Sequence, residues 1–304
     1  MSLLGKKKIL VTHNGSFHAD DLFATATLSI LNDGNVKIIR TRDPKDMAMG
    51  DFVYDVGGEY NPEKNIFDHH QKGGAGARPN GVPYSSFGLI WKTYGEKICG
   101  DKEVAEKIDQ KLIQPIDAID NGVDVAKPIF EGVMTYSIDQ AFLNDIPTWK
   151  EDKENIDDVF KKLVKKVKEF LLREIEVTKA DVEGKNIIVN SYNNSSDKRI
   201  VILENDFPRY LYQNTLSLLP EPIYTIIPSG HSSLWKVEAI RKSPDTMENR
   251  KLFPESWRGF FNEDPKLKEV TGVEDATFCH KGGFLVIAGT KEGAIKLAEK
   301  ALLA

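Results

Sequence analysis

Short apolar runs alternate with amphipathic stretches over the first 70 residues of the chain. Four of these runs are predicted to form strands, because each is short, apolar and bounded by polar or turn-forming residues. They are KKILVTH (7–13), VKIIRT (36–41), DFVYDV (51–56) and NIFDHH (65–70). A helix is predicted over residues 20–32, ending near Gly34. Strands separated by helices favour parallel pairing, so this region predicts an α/β domain with a mainly parallel sheet.

The pattern becomes helical after QKGGAGARPNGVP (71–83), a Gly/Pro-rich segment that we interpret as a mobile active-site loop. The stretch 154–177 carries apolar side chains at helical spacing, with lysines and acids on its other face. The apolar stripe comprises Ile156, Val159, Phe160, Leu163, Val164, Val167, Phe170, Leu171 and Ile175. We expect this helix to pack on the first domain and to lead to a second, with a break near VEGKN (182–186). Its charged face is interpreted as solvated rather than as a subunit interface.

The remainder of the chain predicts a smaller mixed α/β domain. Its predicted strands are NIIVN (186–190), RIVIL (199–203), IYTIIP (223–228), LWKVEAI (234–240) and GFLVIAG (283–289). A final helix is predicted over TKEGAIKLAEKALLA (290–304). We therefore expect two domains, residues 1–182 with a helical extension on the parallel sheet, and residues 183–304.

Composition limits the class of protein. Of 304 residues, 40% are hydrophobic and 29% charged, which is typical of a globular chain, and no apolar run is long enough for a membrane span. The start MSLLGKKKIL lacks the order of a signal peptide. Cys99 and Cys279 are far apart and in no CxxC pair, which argues against disulfides or a thiolate zinc site. We expect a cytoplasmic protein with no membrane partner.

Four of the six histidines lie within the first 70 residues, each at a predicted strand end or in the loop that follows. Open α/β sheets bind ligands at the carboxyl ends of their strands. Three aspartates share these positions, so the set offers nitrogen and oxygen ligands without sulfur. The seven residues are His13, His18, Asp20, Asp55, Asp68, His69 and His70. Such a set suits manganese, iron, cobalt or zinc, and its oxygen content favours manganese.

A pair of metal ions needs one bridging carboxylate and several terminal ligands. The segment PIDAIDNG (115–122) offers Asp117 or Asp120 as one more acid, and sequence alone leaves the choice between them open. The alternative is structural, since Asp20 or Asp21 alone is more often a helix cap, and a single strand-end histidine is often a core hydrogen-bonding residue. Four such segments together favour the metal site.

These motifs resemble those of a known family. The sequence DHH at 68–70, after a His…Asp loop and an aspartate-terminated strand, is similar to the DHH phosphoesterase superfamily. A closer resemblance is to the melanocyte-proliferating-gene (MYG) family of metal-dependent hydrolases within it. The segments that carry it are THNGSFHADD, DVGGEY, FDHHQKG, AIDNGV, RKLFPESWRG and FCHKGGF, from residue 12 to residue 284. The resemblance therefore spans nearly the whole chain.

The resemblance implies roles for individual residues. His13 and Asp20 match the ligands of the first loop, Asp55 the aspartate that bridges both metals, and His69 the metal-binding histidine. His70 matches the histidine that faces phosphate, with Asp68 orienting its neighbours, and Asp120 fits the fourth motif better than Asp117.

The first loop departs from the superfamily pattern H-x3-D-x-D. The second and third positions fall on His18 and Asp20, with one extra residue after His13. An imidazole thus stands where a carboxylate is usual, which bears on metal preference and on the occupancy of both sites.

The second domain resembles the substrate-gripping domain of the superfamily, which elsewhere uses a GGGH-type turn. Here CHKGG (279–283) makes His280, Lys281, Gly282 and Gly283 candidates to hold phosphate or a nucleobase. Around Trp257, a basic patch with an aromatic suits single-stranded nucleic acid. The patch consists of Arg250, Lys251 and Arg258, and the first-domain loop adds Lys72 and Arg78 as phosphate contacts. The competing interpretation is ordinary surface charge around a core tryptophan.

The predicted function is that of a metal-dependent phosphodiesterase, with two Mn²⁺ ions (or Mg²⁺, Co²⁺ or Zn²⁺) activating water. The resemblance implies a 3′–5′ exonuclease on single-stranded RNA or short oligonucleotides. The net charge of −5 gives no general nucleic-acid footprint, although a local basic groove suffices to bind phosphate. A small-molecule phosphoester or pyrophosphate hydrolase is one alternative. A non-catalytic metal-binding scaffold is the other, kept open by His18.

Overall fold

The four apolar runs at the start of the chain become strands of one sheet. The computed structural model describes residues 6–151, 156–230, 232–261 and 264–304. The strands are β1 (Lys8–Thr12), β2 (Val36–Arg40), β3 (Phe52–Tyr54), β4 (Tyr60–Asn61) and β5 (Ile66–Phe67), arranged in the order β2-β1-β3-β5-β4. Only β4, which the sequence pattern did not predict, pairs antiparallel among them. The predominance of parallel pairing brings the carboxyl ends of β1, β3 and β5 to one edge of the sheet.

Several helices lie in the first unit, Met1–Lys179, or, in the case of α7, begin in it and continue beyond it. They are α1 (Ala19–Leu31), α2 (Pro44–Met47), α3 (Ser86–Cys99), α4 (Lys102–Ile108), α5 (Gln114–Asp120), α6 (Ile138–Leu143) and α7 (Ile156–Asn194), with a 3₁₀ turn at Pro62–Lys64 and a π-helical turn at Asp109–Ile113. Helix α1 is buried from Ala19 to Ser29. Phe23 on α1 meets Phe87 of α3 and Phe142 of α6. This packing holds α1 against α3 and α6.

Helix α7 continues through the segment where a break and a strand were expected. It runs unbroken from Ile156 to Asn194, so both the break at 182–186 and the strand NIIVN (186–190) are wrong. Residues 154 and 155 of the predicted stripe lie outside the described residues. A Cβ on Gly184 would lie 2.6 Å from Cδ2 of Leu211, so this glycine permits close packing and does not end the helix. A short apolar run such as NIIVN cannot be told from buried helix by periodicity alone.

The second unit, Ala180–Ala304, contains the other sheet. Its strands are β6 (Ile200–Ile202), β7 (Tyr224–Pro228), β8 (Trp235–Ala239), β9 (Ala276–Cys279) and β10 (Leu285–Ala288), in the order β6-β7-β8-β10-β9. Only β6 and β7 pair in parallel, so this sheet is mixed. The helices are α8 (Arg209–Ser217), a 3₁₀ turn at Glu255–Trp257, α9 (Pro265–Thr271) and α10 (Lys291–Leu303). The sequence pattern missed β9 and predicted the other four strands.

The α/β class predicted from the sequence is confirmed at this level, with two five-stranded mixed sheets among the described residues. None of the helices that the structure describes combines the length and the apolar character that crossing a bilayer requires.

Candidate metal centre

The loops after β1, β3 and β5 bring buried histidines and aspartates together. Among the described residues, three groups place their ligand atoms within 4.8 Å of one another. The groups are His13/Asp21/Asp55, Asp55/His69/His70 and Asp20/His69/Asp120. Asp55 belongs to two of the groups and so does His69, so the three form one continuous cluster. Parallel strand topology explains the gathering, since each strand ends at the same edge of the sheet.

Asp55 lies at the middle of this cluster. Its Oδ2 is 3.2 Å from Nε2 of His13, and its Oδ1 is 3.5 Å from Nε2 of His69. Its backbone has φ of +53°, in the left-handed region that few non-glycine residues adopt and that aspartate tolerates better than most. Burial opposes ionisation of this carboxyl, but the two histidines outweigh burial and hold the pKa of Asp55 far below its usual value. One carboxylate thus faces two imidazoles, as a bridging ligand would face two ions.

Neighbouring carboxylates favour the protonated forms of His69 and His13. Nε2 of His69 lies 3.2 Å from Oδ2 of Asp120. Burial works against a charged imidazole, but the carboxylates of Asp120 and Asp55 outweigh it and raise the pKa of His69 to about 11. The pKa of His13 is also raised, because Asp55 and Asp21 outweigh the effect of its burial. The carboxylates therefore attract positive charge strongly at this edge of the sheet.

Several buried polar atoms of the cluster have no hydrogen-bond partner, which bears on whether the cluster fits a cation. Within the part of the chain that the structure describes, Oδ2 of Asp21, Oδ1 of Asp55 and Nε2 of His69 are buried and make no hydrogen bond. Buried polar atoms nearly always have a hydrogen-bond partner, so three such atoms in one cluster fit a site that coordinates a cation. Imidazole nitrogen and carboxylate oxygen without sulfur suit Mn²⁺ and Zn²⁺, among other divalent ions. The residues present fit a divalent metal site.

Asp21 is the site residue that sequence reasoning missed. It was interpreted only as a helix cap, and its Oδ1 does accept a hydrogen bond of 2.9 Å from the backbone N–H of His18. Its other oxygen lies 3.4 Å from Nε2 of His13, and burial raises the pKa of Asp21 to about 7. The sequence does contain a signal for this second role of Asp21. The helix that it begins is apolar on nearly every face, so both Asp20 and Asp21 are carried into the interior.

His18 takes a different position from the predicted ligands. Its side chain is exposed, its ring centroid lies 6.2 Å from that of His13, and it belongs to none of the three groups. It lines a cleft of about 260 Å³ together with Asp20, Asp120 and Asp139. The carboxylate that the first loop was expected to lack is supplied by Asp21. The prediction that His18 is a ligand has no support from this geometry.

The surroundings of Asp20 distinguish Asp117 from Asp120 as the further acid that PIDAIDNG (115–122) offers. Asp20 is fully buried, and its two oxygens accept hydrogen bonds from the backbone N–H groups of Phe87 (2.6 Å) and Ser86 (3.2 Å) at the start of α3. Asp117 is in none of the three groups, whereas Asp120 belongs to the group that contains Asp20 and His69. Burial raises the pKa of Asp117 to about 6. The structure thus favours Asp120 as the fourth-motif residue.

Asp68 holds His70 at the surface of the cluster. Oδ1 of Asp68 accepts hydrogen bonds from the backbone N–H groups of His69 (2.7 Å) and His70 (3.1 Å) and lies 2.8 Å from Nδ1 of His70. Its Oδ2 accepts a bond of 2.6 Å from the N–H of Gly58. The side chain of His70 is 63% exposed, so Asp68 orients the ring while much of it remains open to solvent.

The first-unit residues predicted to touch phosphate differ in their surroundings. Lys72 is exposed on the loop before α3. Arg78 is only 6% exposed, and its guanidinium donates two hydrogen bonds to Asp109 and lies 2.7 Å from Oδ2 of Asp117. Its position does not fit contact with substrate, because the two carboxylates already occupy its donors.

The basic patch of the second unit is also engaged internally. Arg250 donates to the backbone carbonyls of four residues, and Lys251 and Arg258 each donate to one. The four carbonyls belong to Ser217, Leu219, Pro220 and Pro222. Trp257 is buried in the core. This geometry favours the interpretation of structural charge around a core tryptophan.

The turn at 280–283 keeps exposed groups. Lys281 and Gly282 are exposed, and the N–H of Gly282 donates a 3.0 Å hydrogen bond to Nδ1 of His280. Gly283 has φ of +67°, and a Cβ there would lie 2.5 Å from Nε of Arg258. Glycine is therefore required at this position by the backbone and by the neighbouring guanidinium.

Comparison with known proteins gives one family along nearly the whole chain. The model of the MYG1 exonuclease family, described as uncharacterised protein family UPF0160, matches residues 9–302. MYG1 exonuclease of Mus musculus is 30% identical over 324 residues, covering 96% of this chain and 84% of its own. MYG1 protein of Chlamydia trachomatis is 32% identical over 288 residues, covering 92% of each. Among solved structures, RecJ of Thermus thermophilus in complex with Mn²⁺ matches with 11% identity and a TM-score of 0.29, and this chain covers 52% of it.

Proposed function

The chain belongs to the MYG1 exonuclease family, and we propose that it is a metal-dependent phosphodiesterase that shortens single-stranded RNA or short oligonucleotides from the 3′ end. Membership of the family supports a hydrolase of phosphodiester bonds. The observation that carries the proposal is the carboxylate of Asp55, which faces His13 on one side and His69 on the other. Unpaired buried atoms on Asp21, Asp55 and His69 support a cluster that is completed by cations.

In this proposal the cluster would hold two divalent ions, Mn²⁺ by preference, with Asp55 placed between the two sets of ligands. His13 and Asp21 would hold one ion, and Asp20, His69 and Asp120 would hold the other. Bound divalent ions supply Lewis acidity, which lowers the pKa of water and neutralises charge on phosphate.

The chain's own residues orient the phosphodiester. With Nδ1 of His70 engaged by Asp68, Nε2 is the ring nitrogen left to face a non-bridging phosphate oxygen, to which it donates when the ring carries both protons. Lys72 adds positive charge from the neighbouring loop. The cleft lined by Asp20, Asp120 and Asp139 provides space next to the cluster for the end of a substrate.

The second unit contributes the turn at 280–283. Exposed Lys281 is proposed to hold phosphate and His280 to contact a base or a phosphate oxygen, whereas the N–H groups of Gly282 and Gly283 already donate to Nδ1 and to the carbonyl of His280. Arg78, Arg250, Lys251 and Arg258 are engaged within the protein, so the dense cationic cage that a pyrophosphatase needs is not formed by them. This favours a nucleic-acid chain over pyrophosphate as substrate.

The test uses metal-stripped full-length protein, Mn²⁺ added back, and single-stranded RNA labelled at either end. We expect wild type to produce a ladder from 5′-labelled RNA and labelled mononucleotide from 3′-labelled RNA, both only with Mn²⁺. Asp55→Asn is expected to abolish both, whereas Asp33→Asn, an exposed aspartate with positive φ at the other end of α1, is the matched control and keeps them. A wild type shown to hold Mn²⁺ that cleaves no RNA contradicts the proposal, and DNA and small phosphoesters assayed in parallel then identify another substrate or a scaffold.

A further inference from the structure

A buried row of polar side chains runs from Asp20 through Ser85 and Asp117 to Arg78. We propose that Ser85, Asp117 and Arg78 are positioning residues that fix the carboxylate of Asp20 in the orientation a divalent cation requires. This inference rests on the proposed metal-dependent function. All four residues are at least nine-tenths buried, and the row leads from the cluster into the interior of the first unit.

Ser85 stands between two carboxylates. Its Oγ lies within hydrogen-bonding distance of Oδ1 of Asp20 and of Oδ1 of Asp117. A hydroxyl has one proton and donates to one acceptor at a time. The hydroxyl of Ser85 is available to one carboxylate only if the other carboxylate is stabilised by other groups.

Both carboxylates accept from backbone N–H groups, but Asp117 also has a cation beside it. Its Oδ1 accepts from the N–H of Gly88 at 3.1 Å, and its Oδ2 lies 2.7 Å from Nη1 of Arg78. The guanidinium neutralises Asp117, and the proton of Ser85 is then free to be donated to Asp20. Without that cation, two buried carboxylates would compete for one hydroxyl and repel each other.

Arg78 is held rigidly in turn. It donates to both oxygens of Asp109, at 2.9 and 2.6 Å, and its guanidinium carbon lies 4.3 Å from the ring centroid of Tyr84. Bidentate pairing of this kind fixes both the plane and the position of the guanidinium. Arg78 therefore cannot follow a ligand in the way an exposed arginine would.

The local sequence makes room for this arrangement. A Cβ on Gly88 would lie 1.8 Å from Oδ2 of Asp117, so only glycine allows that carboxylate to occupy its place. The segment YSSFG (84–88) supplies Tyr84, Ser85 and Gly88 together. With Ser85 and Phe87 donating to Oδ1 of Asp20 and Ser86 to Oδ2, both oxygens are oriented, and Oδ2, with a single donor, has a lone pair left for a cation.

The experiment titrates metal-stripped full-length protein with Mn²⁺ and follows free Mn²⁺ by electron paramagnetic resonance. We expect Ser85→Ala and Arg78→Met to weaken one of the two ions about 10–100-fold and to leave the other within a few-fold. Arg78→Lys, which keeps the charge, is expected to recover part of the loss. Val104→Ala, a buried residue of α4 outside the row, controls for lost stability and should bind both ions normally. Thermal unfolding of every variant verifies that it is folded.

The outcomes separate this inference from the proposed function. A wild type that binds no Mn²⁺ overturns both. A wild type with two ions, together with Ser85→Ala and Arg78→Met proteins that bind both equally well, overturns the positioning role alone. Equal weakening of both ions in every variant, Val104→Ala included, shows a general loss of structure and overturns it as well.

Discussion

Nε2 of His69 lies 3.2 Å from Oδ2 of Asp120 and thereby joins the end of the parallel sheet to the end of helix α5. The contact unites two motifs that lie in different parts of the sequence. It also explains why the pKa of His69, a proposed metal ligand, is raised to about 11. A proton on His69 occupies the place that a cation would take.

Metal binding is therefore expected to release protons and to strengthen as pH rises. His69 and His13 have raised pKa values and must lose their protons before their ring nitrogens can bind a metal. Calorimetric titration of the metal-free protein with Mn²⁺ at pH 7, in two buffers of different ionisation enthalpy, measures the number released. We expect about one proton or more per pair of ions. Binding heats that are identical in both buffers would contradict this coupling.

The stability of the metal-free protein is expected to fall as pH rises from about 4 to about 7. Burial raises the pKa of Asp21 to about 7 from its usual 3.8, so the unfolded chain ionises first and is favoured over this interval. Above pH 7 the full penalty, of the order of a few kcal/mol, is present. Urea unfolding of wild type and Asp21→Asn at pH 4.5 and pH 8 measures it.

Asp21→Asn removes the ionisable group, so we expect it to be more stable than wild type at pH 8 and similar at pH 4.5. The amide oxygen can still accept the hydrogen bond from His18, so the start of α1 is retained. The same substitution should weaken Mn²⁺ binding. An unchanged difference between the two proteins at both pH values would show that Asp21 ionises normally.

Substitution of His70 is expected to slow turnover more than it weakens metal binding. Its imidazole is exposed and is held by Asp68, which suits a group that stabilises charge on phosphate. We expect His70→Ala to lower kcat about 10²–10³-fold and to change Mn²⁺ affinity only a few-fold. RNA hydrolysis at saturating Mn²⁺ and direct metal titration give the two values. A loss of affinity as large as the loss of kcat would make His70 a ligand, as its proximity to Asp55 allows.

Arg250 is expected to matter for stability rather than for substrate. Arg250→Ala leaves the carbonyls of Ser217, Leu219, Pro220 and Pro222 without their donor. We expect a loss of about 2–4 kcal/mol in the free energy of unfolding. Arg199→Ala, which removes an exposed arginine paired with Asp197, is the control and should change stability by about 0.5 kcal/mol or less. If Arg250→Ala instead raises KM for RNA at unchanged stability, the arginine belongs to the substrate surface.

The strands and the place of the site could be predicted because both depend on local patterns. KKILVTH and DFVYDV are short apolar runs, and parallel pairing of such runs brings the residues after them to one edge. The sequence pattern alone therefore suffices to place His13 and Asp55 near each other, and their side chains do meet.

The remaining features depend on tertiary contacts that sequence spacing does not contain. Asp21 serves as a cap through one oxygen and faces His13 through the other, and only the burial of α1 on nearly all sides reveals the second role. Arg78 looks like a loop cation, but Asp109 and Asp117 reach it from helices far along the chain. Gly184 looks like a helix breaker, but it is a contact point for Leu211.

If the cluster binds a divalent ion as proposed, Asp20 connects the supply of metal to the lifetime of the protein. Its carboxylate anchors the first turn of α3 through the N–H groups of Ser86 and Phe87, while the same side chain faces the cation site. A bound ion at 100 times its Kd adds about 2.7 kcal/mol to the free energy of unfolding, and the region it secures includes this turn. In a cell short of metal, the chain would be cleared by proteases sooner as well as being inactive, so its abundance would follow the ion.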